Sequence, residues 1–474
     1  MATDSLNTIR RTTWPADLSW VAVSMSTRSC GVADMRHRYG PIVREEALGN
    51  VPVVSLFDAE AIEKVARYPS RYPIRPPTEI SVVYRASRPD RYTNHGIVNE
   101  QGEKWAKLRQ SLAKEVERPS TINRFVPDLD LVVQDFIALL RGRRDASNFV
   151  PDLELIVKHL GLESMSTLVL GRRIGVLNSN VASADREFGL KLARVVEDHF
   201  CACRDSYYGL LPLWKYIPTQ TYAQYTKAED EFYEIISKFV DEALQDEQNT
   251  SATEPVKKVF MSILDAKDMA IEDKKSAVID FIASGLMTVG STLIFLLYHV
   301  AKNPKVQERL YDELISLIPS GGSITVKDLL NARYLDAVVK ETYRIQPTAT
   351  SVARILEEEM ELSGYHLPAG TVVLCQNWIA CTDENNFTHA NEFRPERWLP
   401  ESCAGWKCRE NLVAPYGFGV RICPGKRFTH QMLLLLLARM ALNFKMEYTG
   451  ELTTKFEFLV IPEGPINLFL HDRQ

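Results

Sequence analysis

Cys423 belongs to a glycine-rich segment, residues 416–425, that reads Tyr-Gly-Phe-Gly-Val-Arg-Ile-Cys-Pro-Gly. An apolar run at 432–437 follows and predicts a helix that begins close to the cysteine. Glycines allow the backbone to turn tightly and to approach a flat ligand closely. The amide dipoles at a helix N-terminus bias a nearby thiol toward the thiolate. A thiolate in this position can be the axial ligand of a haem iron, where it favours O–O cleavage.

The same segment resembles the haem-binding loop of the cytochrome P450 (haem-thiolate monooxygenase) family, Phe-x-x-Gly-x-Arg-x-Cys-x-Gly. Tyr416 stands where the family has phenylalanine, which keeps the aromatic ring and adds a hydroxyl. A structural cysteine beside an ordinary glycine turn is the alternative interpretation. The resemblance implies a mainly α fold with small β-sheets, in which haem b lies between a long oxygen-binding helix and the helix of the cysteine loop. It also implies that Tyr416 contacts the haem and that Cys423 binds its iron.

Two further motifs carry three charged residues that match the family. Glu341 and Arg344 are three positions apart in a predicted helix, so they share one of its faces. Arg397 belongs to the sequence Phe-Arg-Pro-Glu-Arg-Trp. Glu-x-x-Arg ordinarily indicates a surface ion pair, whereas the resemblance implies a buried triad behind the haem loop. We expect the triad to serve structure and haem retention, because breaking it would leave an unpaired buried charge.

Several residues match positions that contact the haem propionates in the family. Trp105 and Arg109 lie one helical turn apart, which ordinarily indicates a packed tryptophan covered by the stem of an arginine. In the family, Trp-x-x-x-Arg contacts a propionate. The resemblance adds Arg421 and Arg354 as further cations, since charge-assisted hydrogen bonds to a carboxylate are strong.

A long predicted helix carries the sequence Ala-Ser-Gly-Leu-Met-Thr at 283–288, which resembles the oxygen-binding segment of the family. Thr288 occupies the position of the threonine that assists oxygen activation, and it is predicted to be catalytic. Met287 stands where the family has an acid, so we expect protons to arrive through water. Gly285 is expected to allow local widening of the helix. A threonine in an apolar helix otherwise bonds back to a main-chain carbonyl.

The pattern along the chain predicts one mostly helical domain, 38–474, after an N-terminal segment, 1–37, that is a targeting peptide or disordered. Helices are predicted at 58–68, 99–115, 122–141, 153–170, 184–203, 222–246 and, on both sides of Asn303-Pro304, 273–314. A polar loop is predicted from residue 76 to 94. A terminal hairpin is predicted over 456–470, with its turn at 462–465.

Composition excludes several classes of protein. The chain has 474 residues, 45% hydrophobic and 25% charged, as in a globular protein. Its net charge of -5 argues against nucleic-acid binding, because no basic excess is available to neutralise phosphates. The eight cysteines show no regular spacing, which indicates a reducing compartment rather than a disulfide framework. No stretch approaches the roughly 18 apolar residues of a membrane-spanning helix. Nucleotide-binding glycine motifs do not occur, so electrons are expected from another protein.

Further strings, such as Cys-Pro-Gly-Lys-Arg at 423–427, resemble the mitochondrial branch of the family. This resemblance implies a peripheral location on the matrix side of the inner mitochondrial membrane, with the endoplasmic reticulum as the alternative. It also implies electrons from an acidic, adrenodoxin-like ferredoxin and its NADPH-dependent reductase. We expect three cations on the proximal face to bind the ferredoxin: Lys340, Lys426 and Arg427. Asp336 departs from this pattern, because many members have a lysine there.

Strings at 88–92 and 204–209 resemble arthropod members that hydroxylate ecdysteroids. The resemblance implies a steroid substrate with several hydroxyl groups, held in a mainly apolar pocket with a few placed polar groups. Pocket segments are expected at 75–96, 199–213, 282–288, 348–354 and 459–461. The stretch 207–214 is alternatively expected to contact a membrane surface.

Other functions stay open at this level. Another mitochondrial ecdysteroid or sterol hydroxylase would carry the same motifs. Met287 is compatible with a haem-thiolate isomerase or lyase, which needs no protons delivered to dioxygen. A haem or ligand-binding protein without activity is the third class, and it predicts steroid binding without product.

Overall fold

The computed structural model describes residues 11–13, 28–46, 51–170, 173–177, 183–208, 213–249, 269–319, 321–401 and 404–473. Most of the predicted N-terminal segment, Cys403 and part of the stretch 207–214 lie outside these ranges. The helix Arg28–Tyr39 runs across residue 38, where the sequence predicts the start of the domain.

Helices make up most of the described chain, which confirms the predicted mainly α fold. They are α1 Arg28–Tyr39, α2 Ala59–Arg67, α3 Glu79–Ser87, α4 Gly96–Asn99, α5 Gly102–Val116, α6 Pro119–Arg124, α7 Val126–Arg143, α8 Leu153–Leu170, α9 Ser183–Tyr208, α10 Gln220–Asn249, α11 Ile271–Lys302, α12 Pro304–Leu317, α13 Val326–Asn331, α14 Arg333–Ile345, α15 Asn377–Cys381 and α16 Lys426–Asn443.

The strands are short. They are β1 Arg11–Thr13, β2 Ile42–Glu46, β3 Val53–Leu56, β4 Val352–Ile355, β5 Met360–Leu362, β6 Tyr365–Leu367, β7 Val372–Cys375, β8 Phe444–Tyr448, β9 Thr453–Glu457, β10 Leu459–Glu463 and β11 Leu468–Asp472. Five of them form a sheet in the order β1-β2-β3-β7-β4, and the others pair as β5-β6, β9-β10 and β8-β11.

Helix α11 runs through the core. Its residues are apolar on nearly every side, and it packs against α8, α10 and α14. Gly161 of α8 allows close contact, since a Cβ there would lie 2.9 Å from the carbonyl oxygen of Leu286. By length and composition α11 could cross a membrane, so the expectation that no stretch is apolar enough is wrong. Its apolar window is 72% buried inside the protein, which is typical of a core helix.

The helix that follows the cysteine loop, α16, is anchored by the same core. The predicted apolar run is buried, and Arg439 donates to a carboxylate oxygen of Asp130 on α7 at 2.7 Å. Pro304 begins α12 directly after α11 ends, as the sequence predicts, because proline is tolerated in the first turn of a helix. Nearer its start, α16 packs against α14, where Nε2 of His430 lies 2.8 Å from Asp336.

Two sequence predictions are wrong. The predicted loop from 76 to 94 contains α3, whose N-cap residue Thr78 makes no side-chain cap. The predicted hairpin over 456–470 does not form, because the chain turns at Phe458, where φ is 66°. Strand β10 therefore pairs with β9, and β11 pairs with β8 instead.

Candidate active site

The cysteine loop is closed by main-chain hydrogen bonds. The N–H of Cys423 donates to the carbonyl oxygen of Tyr416 at 2.9 Å. Gly417 and Gly419 have φ values of 75° and 68°, a region that glycine adopts without strain. Gly425 has an ordinary φ and is the N-cap of α16. A Cβ at Gly425 would lie 3.7 Å from the sulfur of Cys423, so the loop holds the thiol at the start of the helix.

The Cys423 thiol faces an accessible cleft, although protein surrounds most of it. Burial raises the pKa of this thiol and outweighs the lowering by the Gly425 N–H and by Arg109 and Arg75. The thiolate bias expected from the helix N-terminus therefore does not prevail in the free thiol. A bound metal ion would reverse the balance, because it deprotonates a coordinating thiol.

Arg421 is a buried cation with unused donors. Its guanidinium lies 4.3 Å from the ring of Trp105 and donates to the carbonyl oxygen of Glu100. Its Nε and Nη1 atoms are buried and have no hydrogen-bond partner. Burial, followed by the charges of Arg75 and Arg354, lowers the pKa of Arg421 to about 9. This group is poised to bind an anion.

Arg354 and Arg75 extend the same positive region. Arg354 donates to the carbonyl oxygen of Phe418 at 2.8 Å, and Arg75 donates to that of Val98 at 3.0 Å. Burial, and next the charge of Arg354, lowers the pKa of Arg75 to about 10. The sequence predicts Arg75 only as part of a pocket segment and not as a cation of this site. A charge between prolines in Pro-Ile-Arg-Pro-Pro is the signal that could have identified it.

Arg109 lies near the thiol but has a carboxylate partner. Its guanidinium pairs with Glu117, and its side chain is 12% exposed. Its predicted neighbour Trp105 is buried one turn away. The positive charge of Arg109 nevertheless acts on Cys423, as the direction of its effect on the thiol shows.

The donor set fits a haem. Within the described ranges, the guanidiniums of Arg75, Arg354 and Arg421 hydrogen-bond only to main-chain carbonyls and form no ion pair. Three buried cations without carboxylates are unfavourable unless an anion joins them. A porphyrin with two propionates would supply those charges, and Cys423 would supply the thiolate ligand that such an iron accepts.

One face of α11 is open in the middle of this buried helix, at the segment that the sequence predicts to bind oxygen. Ser284 is exposed within this otherwise buried helix, and Met287 and Thr288 are partly exposed. The Thr288 hydroxyl donates to the carbonyl oxygen of Ser284 at 2.9 Å. The helix is α-helical on both sides of Gly285, where a Cβ would lie 2.3 Å from the sulfur of Met165. Gly285 thus accommodates Met165.

Glu341, Arg344 and Arg397 meet in one buried group. Arg344 donates to both carboxylate oxygens of Glu341, at 2.8 and 3.0 Å, and Arg397 donates to one of them at 3.0 Å. Trp398 and the N–H of Arg394 donate two further hydrogen bonds to Glu341. The remaining donors reach main-chain carbonyls, so the charges are fully hydrogen-bonded.

The hydroxyl of Tyr416 continues into a polar chain. It lies 2.6 Å from the hydroxyl of Tyr343, which is 3.5 Å from Nδ1 of His430. The other nitrogen of His430 lies 2.8 Å from Asp336. Two of the three departures from the family pattern, Tyr416 and Asp336, are therefore the two ends of one chain of polar groups.

The three predicted docking cations lie on one side of α14 and α16. Lys340 is paired with Asp336 at 2.8 Å, while Lys426 and Arg427 are exposed in the first turn of α16. Because His430 joins Asp336 to α16, the two helices present a continuous surface. Burial opposes the charge of Asp336, but His430 and Lys340 hold the pKa of its carboxyl below the usual value.

Comparison with known proteins places these features in a family context. The cytochrome P450 family model matches residues 13–470. Ecdysone 20-monooxygenase of Drosophila melanogaster is 46% identical over 450 residues, 93% of this chain and 82% of that protein. Cytochrome P450 302a1, mitochondrial, of the same species is 28% identical over 446 residues, 93% and 88% of the two chains. Human sterol 26-hydroxylase, mitochondrial (Homo sapiens), is 26% identical over 450 residues, 92% and 83%.

Proposed function

The chain belongs to the cytochrome P450 family and is a monooxygenase, and we propose that it hydroxylates ecdysone to 20-hydroxyecdysone. The observation that carries the proposal is the 46% identity, over nearly the whole chain, with a relative named for this reaction. The strings at 88–92 and 204–209, which resemble those of ecdysteroid hydroxylases, agree with it.

We assign the haem b contacts to the cysteine loop and the buried cations. Cys423 is the proposed axial ligand, and Arg421, Arg354, Arg75 and Arg109 are proposed to hold the propionates, with Trp105 and Tyr416 against the ring system. Bound haem supplies the activation of dioxygen with two electrons. The chain contributes the thiolate, the counter-charges and a cleft that excludes bulk water.

Thr288 is the proposed catalytic residue of the open face of α11. The hydrogen bond from its Oγ1 to the carbonyl oxygen of Ser284 is local and weak. The hydroxyl can therefore leave that oxygen and hold a proton at the cleft. Met287 offers no acid, so Thr288 is proposed to receive protons through water from the cleft. The roles of Glu341, Arg344 and Arg397 are proposed to be structural.

A ferredoxin is the proposed electron donor. Positive charge at the start of α16, three residues after Cys423, comes from Lys426 and Arg427. Lys340 adds a positive charge on the neighbouring helix α14. An acidic partner would be steered there by local charge even though the whole chain is negative. Peripheral contact with a membrane, on the matrix side in mitochondria, is proposed through the exposed side chains of Leu213, Tyr216 and Ile217. Trp214 is buried against Tyr222 and is not part of that surface.

Reconstitution tests the proposal. The purified protein is combined with ferredoxin, its reductase and NADPH. Ecdysone, other ecdysteroids and sterols are then offered as substrates. Mass spectrometry should find 20-hydroxyecdysone formed from ecdysone only when all components are present. Preference for a sterol would identify another hydroxylase. Turnover without dioxygen or ferredoxin would favour the isomerase or lyase hypothesis, which Met287 motivates. Steroid binding without product under complete reconstitution would favour the non-catalytic class.

A further inference from the structure

A buried charged group lies apart from the haem contacts. We call it the Arg85 cluster: Arg85, Glu229, Asp280 and His199. It joins four elements, because these residues belong to α3, α10, α11 and α9 in that order. Arg85 is 3% exposed, Glu229 0% and Asp280 7%, so charges on three helices are removed from water together.

Arg85 uses every donor of its guanidinium. Its Nε and Nη2 donate to Glu229 at 3.1 and 3.0 Å, and Nη2 also donates to Asp280 at 2.8 Å. Its Nη1 donates to the carbonyl oxygen of His95 and to the hydroxyl of Ser276, both at 3.1 Å. Because the guanidinium is planar and all its donors are used, it fixes the direction of each hydrogen bond as well as its length. No other side chain could reproduce this set.

Glu229 also connects the Arg85 cluster to α9. Nδ1 of His199 lies 2.9 Å from Glu229, which brings α9 against α10. The ring of Tyr92 lies 4.9 Å from the guanidinium of Arg85. Two negative and two positive groups therefore face one another, and the buried group is neutral when His199 is protonated. Paired charges of this kind are tolerated in a protein interior, although Oδ2 of Asp280 has no hydrogen-bond partner among the described residues.

The segment after α3 is locked by the same contacts. Gly96, with φ 81°, packs so closely that a Cβ would lie 2.1 Å from Nη1 of Arg85 and 2.3 Å from Oδ2 of Asp280. Any other residue would push the segment away from both charges. The chain from 88 to 96 is thus held against α11 at Asp280, and the side chains of Thr93 and Asn94 add a second attachment at Asp273 of the same helix.

The cluster lies at the end of the open face of α11. Asp280 precedes the cleft-facing Ser284 by one helical turn and Thr288 by two, on the same helix. The segment that contains Arg85, 75–96, begins with Arg75, whose pKa is influenced by the charges of both Cys423 and Asp280. Arg85 is therefore one of the attachments of a segment that reaches from the cations near Cys423 to α11.

We propose that Arg85 is a positioning residue for substrate binding: by joining α3, α10 and α11 it holds residues 75–96 as the end wall that encloses a steroid. Its direct contacts are within the protein, so it acts through the wall. The proposal rests on the proposed function for the choice of ligand. Loss of the guanidinium would widen the cleft, weaken steroid binding and admit water beside the reacting carbon.

A purely structural role is the competing explanation. Removal of Arg85 leaves two buried carboxylates unpaired, which destabilises any protein. The experiment therefore compares Arg85→Met with Arg85→Lys, which keeps the charge but loses the guanidinium, and with Asp280→Asn, which keeps the shape. Arg194→Met is the matched control, since Arg194 of α9 pairs with Glu231 of α10 at 3.6 Å on the surface and lies outside residues 75–96.

The measurements use the haem-loaded protein. The dissociation constant for ecdysone is taken from the ligand-induced change of the haem absorption spectrum, and kcat and KM from reconstituted turnover. Folded protein is quantified by thermal melting. Arg85→Lys and Asp280→Asn should weaken ecdysone binding by about tenfold or more and raise peroxide release relative to product. Arg194→Met should change binding by less than about twofold.

Two outcomes overturn the proposal. One is a folded, haem-loaded Arg85→Lys protein that binds ecdysone and couples turnover as the parent does. The other is equal weakening in Arg194→Met, which would make the effect non-specific. If the parent itself shows no spectral change with ecdysone, the proposed substrate fails. In that case, faster hydrogen exchange of residues 78–96 in Arg85→Lys than in Arg194→Met still supports the positioning role, and equal exchange contradicts it.

Discussion

The hydroxyl groups of Tyr343 and Tyr416 are hydrogen-bonded at 2.6 Å, which ties the cysteine loop to helix α14. Burial, then Tyr343, raises the pKa of Tyr416 well above its usual value, so both hydroxyls stay protonated. The family's phenylalanine could not form this bond. The hydroxyl that the sequence shows as a minor departure is therefore a second attachment of the loop.

Tyr416→Phe should lower the free energy of unfolding by about 1 kcal/mol, because the buried hydroxyl of Tyr343 loses its best partner. Tyr343→Phe should have a similar effect. The double variant should be more stable than the sum of the two losses predicts, since no unpaired hydroxyl remains. Denaturant unfolding of the four proteins measures the coupling; strict additivity would show that the bond contributes nothing.

Cys423→Ala should abolish the red-shifted absorption of the reduced carbon monoxide complex, because the thiolate ligand is lost. Cys201→Ala is the matched control and should keep it, since Cys201 lies on α9, away from the loop. Absorption spectra of the two variants after haem loading provide the measurement. A parent-like band in Cys423→Ala would refute the ligand assignment.

Glu341→Gln should destabilise the protein by about 3–5 kcal/mol, because two buried guanidiniums would keep their charge and lose their counter-ion. Glu392→Gln is a suitable comparison. Glu392 is 53% exposed in its ion pairs with Arg394 and His389, so its loss should leave stability nearly unchanged. Thermal melting and haem content distinguish the two, and equal effects would argue against the triad.

Thr288→Ala should raise peroxide release relative to product and slow product formation by about tenfold or more. Ser291→Ala is the control on the same helix. Ser291 also bonds back to a carbonyl, at 2.9 Å, but it is buried away from the cleft. Peroxide and product are measured in the same reconstituted reaction, and equal coupling in Thr288→Ala and the parent would contradict its role.

Alkaline pH should weaken the Arg85 cluster. Burial alone would lower the pKa of His199, but Cys203 and Glu229 raise it to about 10. The raised pKa contributes stability that is complete below about pH 6.5 and is lost as pH rises through 10. Glu229, held to a pKa of about 2 despite burial, stays ionised throughout this range, because Arg85 and His199 stabilise its charge.

The other groups that face His199 are Arg85, Asp280, Tyr92 and Tyr225, and burial raises the pKa of both tyrosines out of the tested range. His199→Gln should therefore remove the part of the pH dependence that lies between pH 7 and 10. Unfolding free energies of parent and variant, measured at steps across that range, provide the comparison. Parallel curves would show that His199 is not charged in the folded protein.

The sequence predicts best where an interaction is local. Glu341 and Arg344 share a helix face by spacing alone, and the boundary at Pro304 follows from the chemistry of proline. The helix Leu153–Leu170 has the predicted bounds. These features need no knowledge of distant residues.

Prediction from the sequence fails where residues far apart in the chain determine the structure. Helix α3 follows two prolines and lacks a side-chain cap, so its local signal is weak, and its Arg85 is held by residues about 140 to 200 positions away. Arg75 joins the cations near Cys423 through the same long-range packing. The false hairpin over 456–470 arose because two alternating strands are compatible with several partners, and the turn at Phe458 settles the pairing.

Because α11 is one continuous helix, insertions and deletions within it are restricted. Asp280 and Thr288 are eight residues apart on one rigid helix, a rise of about 12 Å. Inserting or deleting one residue between them would rotate one against the other by about 100° and turn either the wall or the hydroxyl away from the cleft. Substitutions on this stretch can be selected one at a time, whereas a change in its length would disrupt both sites at once.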